Sequence, residues 1–598
     1  MRNCWLVFAT LANLVFLSRA TEGAETTTLA VTGAAAPGLQ WALFDQLNSI
    51  TLNNAGATAF SGSLTHGGAI DAANDSGIWL FTDNAEHLIA QTGEGNVPGI
   101  AGADFAEFDR PLLSASGDLL ATARLASGIG GVSTDDDEGL WRFDTSSGSL
   151  ELRAGSGNVP GVSTADFARA PSFFGTTNVA VASNGDFGFF NDMQFGIGGV
   201  LSTNNRGVWS YATSGSELLA REGVSLVPGV GNARFATFTT PRVNANGQLA
   251  VRAVVLPNGS INAQNADGVW QYTGTAGALI ARTGVGNVPG YASRSFATLG
   301  WPRMNEVGQV AIGAALDDVS SSQGVWLFDN GVGALVASPD TEVPGIDAGV
   351  FAELQLDAIN DSGQILASAS LAVGNGGVID DDRHGLWLLG TDGQLVARTG
   401  SSGVPGIGSA SFAAFGNAAL NERGQVAFAA DLQVGGEIDQ TNDGGIWIID
   451  PAGPSWLVAR EGDQLAGRTV ESLSFLTDED EDRGAGFNDI GELAFRASFT
   501  NGDSGLFLFR PHAADFDRDG GVDGDDLDAW KGSYATSAEA DADHDDDSDG
   551  SDFLVWQREL PTSSSAQPIV SQVPEPTSLA PLAFCALGGL VSRLRNRQ

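Results

Sequence analysis

The sequence predicts an all-β chain dominated by a β-propeller, and three observations predict it. A tryptophan-centred motif recurs eight times at a steady spacing, two kinds of glycine turn keep phase with it, and the strand missing from the last repeat stands near the start of the chain.

The motif is a glycine, an apolar residue and an aromatic. Its aromatics are Trp79, Trp141, Trp209, Trp270, Trp326, Trp387, Trp447 and Phe507. The period is about 61 residues, a spacing that marks solenoids, propellers or arrays. A Pro-Gly turn follows the same rhythm at Pro98, Pro160, Pro228, Pro289, Pro344 and Pro405. So does an Asn-x-x-Gly turn beginning at Asn244, Asn305, Asn360, Asn421 and Asn488, with looser copies at Asn53, Ser114 and Ala182. Glycine supplies the positive φ such turns need, and asparagine can bond back to its own backbone.

Between the turns lie short apolar runs. In the seventh repeat they are Ala414–Leu420, Gln425–Leu432, Gly445–Asp450 and Trp456–Arg460, and the alternation in Val426-Ala427-Phe428-Ala429 gives one packed and one unpacked face. Four antiparallel strands per repeat is the plan of a propeller blade. Every repeat but the last ends in a strand such as Leu279–Arg282, yet Leu29–Thr32 followed by Pro37-Gly38 has the same order at the N-terminal end. The expectation is eight four-stranded blades over residues 29–510, closed by that N-terminal strand, which removes free sheet edges. An open β-solenoid and a string of sandwiches are the other readings, and about 61 residues is short for a sandwich.

Composition narrows the function. A net charge of −43 opposes nucleic acid. Lys531 is the single lysine, which removes P-loop and Schiff-base chemistry from the repeats. Residues 1–20 read as a signal peptide: Arg2, the apolar run Cys4–Leu17, then Ser18-Arg19-Ala20. The remaining cysteine, Cys585, lies in a C-terminal apolar segment, so the region between has no disulfide, thiolate metal site or cysteine nucleophile.

After Arg510 the chain turns acidic. Asp515, Asp517, Asp519, Gly521, Asp523 and Asp526 occupy alternating positions of a calcium loop, with Gly520 at the turn. Calcium takes six to eight oxygens, and this spacing aims every second residue inward. Asp541, Asp543, Asp545, Asp547, Asp549 and Asp552 repeat the register, and Trp556 repeats Trp530. Asp546 stands where the second loop needs glycine and Ser548 where the first has Val522, so the second site is expected to be weaker. A solvated acidic linker is the plain alternative.

Three resemblances follow from these residues. The repeats, best in Asn421–Phe428 and Asn488–Phe495, resemble the NxxGxxAF tandem-repeat proteins of bacterial surfaces, which implies location more than activity. The doubled loop and helix over 513–560 resembles a type I dockerin, a small α-helical module, which implies Ca2+ and a cohesin-like partner. Beyond a linker at 561–572, the segment 573–598 resembles a PEP-CTERM sorting signal: Pro574, Glu575 and Pro576, an apolar run Leu579–Val591, then Arg593, Arg595 and Arg597. That resemblance implies an exosortase-like processing enzyme. The apolar run is short against the roughly 20 residues of a lasting span, and the arginines suit a cytoplasmic end, so transient membrane contact is expected.

No catalytic residue stands out. His66, His87, His384, His512 and His544 share no ligand or triad spacing, and neither a nucleophile elbow nor a His-Glu-x-x-His motif occurs. The acidic loops Ser133–Glu138 and Asp380–His384 read as solvated blade edges, with calcium or sugar hydroxyls as the other possibility. Arg153, Arg221, Arg282, Arg398 and Arg460 recur and either line a ring or pair with acids. The expected function is therefore an exported binding or scaffold propeller at the cell surface or outside it, with an extracellular glycan as a candidate ligand. The rival is a propeller enzyme acting on polysaccharide, which scattered carboxylates beside an aromatic platform would favour.

Overall fold

A computed structural model describes residues 24–560 except 83–84, 158, 170–177, 213–214, 318–322, 392, 452, 478–485, 518–520, 538–539 and 543–546. The predicted signal peptide, the linker at 561–572 and the sorting tail lie outside the described residues. The chain divides into two compact units after Gly521.

The first unit is an eight-bladed β-propeller, one antiparallel sheet for each predicted repeat. The first blade shows the plan: Phe44–Leu52, Thr58–Leu64, Ser76–Thr82 and Ala85–Gln91, paired in chain order. The seventh has its strands at Ile407–Leu420, Val426–Leu432, Gly444–Ile449 and Ser455–Arg460, preceded by the short Ser402–Val404. Its long strand starts seven residues earlier than its alternation predicts, because Ser402–Val404 pairs with that early portion as a small hairpin.

The repeat motif earns its spacing through the tryptophan. In seven blades the indole lies on the third strand, fully buried, and its N–H donates to the carbonyl of the Pro-Gly proline at 2.9–3.2 Å. A phenylalanine meets the same ring edge-on, with centroids 4.9–5.4 Å apart; it comes from the first strand in six blades and from the isolated bridge at Phe167 in blade three. The turn glycine is required twice over. Its φ lies at +74° to +81°, and a Cβ there would come within 2.7–3.1 Å of a leucine on the fourth strand. The eighth blade has Phe507 in place of tryptophan, and Ala466-Gly467 turns where the others have Pro-Gly. The donor and its acceptor proline are missing together.

Closure follows the predicted route. Strand β1 (Ala24–Val31) lies outermost in the eighth blade, antiparallel to Ser504–Pro511, with Ala24 opposite Pro511 and Val31 opposite Gly505. It extends further toward the N-terminus than Leu29–Thr32. Thr32 ends it with a side-chain clasp: its Oγ1 accepts the Ser504 N–H at 3.0 Å and donates to the Ser504 carbonyl at 3.3 Å.

A second closure lies in the Asn-x-x-Gly turns. The predicted role was local, and the local role is present: Asn360 Oδ1 accepts the N–H of Gln364 at 2.9 Å. The same side chain also reaches the next blade. Asn244 Nδ2 donates to the carbonyl of Asn305, Asn305 to Asn360, Asn360 to Asn421, Asn421 to Asn488 and Asn488 to Asn53, at 2.8–3.3 Å. Asn53 carries the chain on to Ser114. The residue after each asparagine adds a parallel link: the backbone N–H of Glu306, Asp361, Glu422 and Asp489 donates to Asp361, Glu422, Asp489 and Asn54 respectively. These asparagines are at most 4% exposed, so every bond lost leaves a buried polar group. We expect Asn360→Ala to cost about 2 kcal/mol in denaturant unfolding, because it orphans partners in two blades. Asn501→Ala, on an exposed turn, should shift stability by less than about 0.5 kcal/mol. Equal effects of the two would remove the latch role.

First strands of neighbouring blades touch one another, so they form the inner wall of the ring. Six blades carry the asparagine turn at one end of that wall, and blades two and three have Ser114 and Ala182 in its place.

Candidate functional site

Along the wall, the first strands of blades four to six line a cavity of about 660 Å³, within the usual range for ligand pockets. Trp301, Arg303, Arg242, Gln355, Gln323 and Leu356 are among its lining residues, and none of the described lining residues carries a carboxylate.

The backbone explains why Trp301 points into it. The first strand of blade five pairs through Leu299 opposite Ala314, breaks, and resumes with Arg303 opposite Ala311. Gly300, Trp301 and Pro302 fill the break. Gly300 N–H still reaches the Gly313 carbonyl at 2.7 Å. Pro302 has no N–H to give, which favours a bulge. The indole leaves the ladder and remains 49% exposed, while seven other tryptophans are fully buried. Blade four repeats the device with Thr239, Thr240 and Pro241, then Arg242 opposite Ala250. Arg303 is 9% exposed. Both arginines are held by further interactions within the protein.

Carboxylates gather elsewhere. In blade seven, Asp431 faces Gly444 across the second and third strands, and with Glu461 it lines a separate cavity of about 160 Å³. Burial raises both carboxyl pKa values, and the charge of Asp443 adds to the rise. Glu461 Oε2 accepts the Gly444 N–H at 3.2 Å. In blades two and three the same strand positions hold Arg124 opposite Glu138 and Asp192 opposite Arg206, ion pairs at 3.6 Å and 2.7 Å.

The recurring arginines have a bracing role. Arg153, Arg221, Arg282 and Arg460 donate through Nε to the carbonyls of Asp136, Asn204, Asn265 and Asn442 at 2.6–2.8 Å, and Arg398 does so to Asp382. Each ties the fourth strand to its own blade's preceding loop. Arg153 and Arg398 add ion pairs to Asp136 and Asp382, which lie in the two acidic loops singled out in the sequence.

The second unit contains helices α1 (Gly524–Ser533) and α2 (Gly550–Glu559). Each starts in a capping box, Asp523 with Asp526 and Asp549 with Asp552, which satisfies backbone donors of the first turn. The two halves are exchanged copies: Trp530 donates to the Asp549 carbonyl at 2.9 Å, and Trp556 to the Asp523 carbonyl at 2.7 Å. Asp547, Asp549 and Asp552 each offer a carboxylate oxygen within 4.8 Å of one another. Asp552 is fully buried, and its oxygens accept the N–H groups of Asp549 and Ala542, both at 2.6 Å. An oxygen-only set of this kind suits a hard cation such as Ca2+. Ser548, which breaks the first loop's pattern, is buried with its hydroxyl accepting the Ala540 N–H, whereas Val522 is buried as a hydrocarbon. Of the other predicted ligands, Asp515, Asp517 and Gly521 close the first unit, and Asp523 and Asp526 open the second. Asp541 is half-buried, while Asp519, Asp543 and Asp545 lie outside the described residues.

Fold and site together define a β-propeller with a channel-side cavity. The chain belongs to a family of unknown function, DUF7453, whose model matches residues 15–284 and again 250–513, about half the ring each time. No match was found among curated proteins. Among solved structures, the Dos1 propeller is similar at 9% identity and TM-score 0.34, over 81% of this chain and 94% of that one. A puromycin-hydrolyzing peptidase of Mycobacterium tuberculosis is similar at 11% identity and TM-score 0.32, over 79% and 61%. An α-L-arabinanase of Penicillium chrysogenum, complexed with arabinobiose, is similar at 12% identity and TM-score 0.25, over 58% and 97%. Nothing about ligand or activity passes from them to this chain.

Proposed function

We propose that this is an exported binding propeller of the cell surface or extracellular space, attached through a dockerin-like module that takes Ca2+ and docks to a cohesin-like partner. One observation favours binding over hydrolysis: the aromatic platform and the carboxylates occupy different cavities, Trp301 in one and Asp431 with Glu461 in the other. A hydrolase of carbohydrate needs paired carboxyl groups flanking the bond it cleaves, so the platform alone holds a ligand without cutting it. The signal peptide and sorting tail support the location, with an exosortase-like enzyme processing the tail.

Asp547, Asp549 and Asp552 would hold Ca2+ in the second loop, and Asp515, Asp517, Asp519, Gly521, Asp523 and Asp526 in the first. The ion would supply charge neutralisation that lets these acids sit together. Calorimetric titration of the full chain with Ca2+ should give two events, the weaker lost in Asp552→Asn and the tighter in Asp526→Asn. At a hundredfold excess over Kd, the ion should stabilise the second unit by about 2.7 kcal/mol. A chain that takes up no Ca2+ and melts alike with and without chelator would end the calcium part of this reading.

A further inference from the structure

We propose that the cavity between blades four and six binds a sugar carrying a single carboxylate, a uronic acid unit set in an otherwise neutral oligosaccharide. The inference rests on the binding function above and names its ligand class.

The repeats hold the blade-building positions of the first strand constant. The first strands align as Phe105–Gly117, Phe235–Gly247, Phe296–Gly308, Phe351–Gly363 and Phe412–Gly424, with phenylalanine at the start, Phe or Leu three residues on, and glycine at the end. These positions build the blade core and the asparagine ring. The position of Trp301 is Arg110, Thr240, Leu356 and Asn417 in the other four, and that of Arg303 is Leu112, Arg242, Ala358 and Ala419. Positions that vary among otherwise matched repeats are released from the fold's demands. Here the two arginines fall in neighbouring blades and the indole between blades four and six.

The chemistry of the lining selects the ligand. A half-exposed indole offers a flat apolar face to a pyranose ring. Gln355, Gln323 and Thr298, all exposed at the cavity, suit a ligand rich in hydroxyls. Arg242 and Arg303 bring two positive charges to a cavity with no described acid in its lining. A guanidinium carries five N–H donors in a planar fork, the geometry that matches a carboxylate. The net charge of −43 repels a dense polyanion, which favours one carboxylate per ligand over a run of them.

The test is calorimetric titration of the full chain with a neutral oligosaccharide and with the same backbone bearing one uronic acid. The acidic form should bind at least ~10-fold more tightly, a gap worth about 1.4 kcal/mol, and the gap should narrow as salt rises. Trp301→Ala should weaken the acidic ligand about 10-fold, Arg242→Gln should erase its advantage over the neutral form, and Trp41→Ala, at an 89% exposed residue in the turn ahead of blade one, should change nothing. Equal, Trp301-dependent binding of both sugars overturns the carboxylate inference and leaves the binding function standing. Binding of neither sugar, or binding indifferent to Trp301, overturns both.

Discussion

Removing residues 24–32 should open the ring. The lost strand covers the outer edge of Ser504–Pro511, and Ala24, Ala30 and Val31 leave the core with it. The Thr32 clasp goes as well. What remains is an eighth blade with a bare edge of backbone donors and acceptors, the kind of edge that pairs with other chains. The melting midpoint should fall by on the order of 10 °C, with aggregation on heating. Val31→Asp, which places a charge at a position 6% exposed, should move the midpoint the same way without shortening the chain. A synthetic peptide of residues 24–32 should restore part of the loss. An unchanged midpoint in both variants would show that the blade does not depend on its borrowed strand.

The second large effect is expected at the buried tryptophans, where two substitutions separate two contributions. Trp326→Ala removes a ring that packs edge-on against Phe296 and donates to the Pro289 carbonyl at 2.9 Å. Its cost should be about 3–5 kcal/mol, the range for deleting a large buried aromatic. Trp326→Phe keeps most of the ring and loses the donor, so it should cost less, about 1–2 kcal/mol with the proline carbonyl left unpaired. Blade eight shows that phenylalanine is compatible with the strand geometry, since Phe507 fills this place where the turn is Ala466-Gly467. Chemical denaturation of the three proteins ranks them. If Trp326→Phe proved as damaging as Trp326→Ala, the indole N–H would matter more than the packing.

The blade count and the route of closure were legible because both depend on repetition, and repetition is visible along the chain. The spacing of Trp79 to Phe507 counts the blades, and Leu29–Thr32 announces the strand that completes the last. The function of the asparagine turns was only half legible. Asn360 was readable as a turn former, but its second bond goes to Asn421, and a contact one period away carries no local signature. The arginines show the same limit: Arg221 reads as lining a ring or pairing with acids, yet its Nε bonds to the Asn204 carbonyl, a backbone partner that sequence does not mark. The cavity was not read at all. Trp301, Arg242 and Arg303 are single residues with no motif, brought together by the ring from neighbouring repeats. Aligning the repeats on Phe296 and Asn305 is the signal that exposes them, since it sets Trp301 apart from a column that is otherwise polar or aliphatic. In the acidic region the register was plain and the reciprocity was not, because Trp530 and Trp556 each bond to the other half's loop.

The propeller should hold a carbohydrate without cleaving it. The most direct measurement follows one incubation of the full chain with the uronate-bearing oligosaccharide, scoring the bound fraction and the reducing ends together. A saturable bound fraction and no new reducing ends are expected, in wild type and in Asp431→Asn alike. Reducing ends that accumulate with wild type and vanish in Asp431→Asn or Glu461→Gln would contradict this, and would place the chemistry in blade seven.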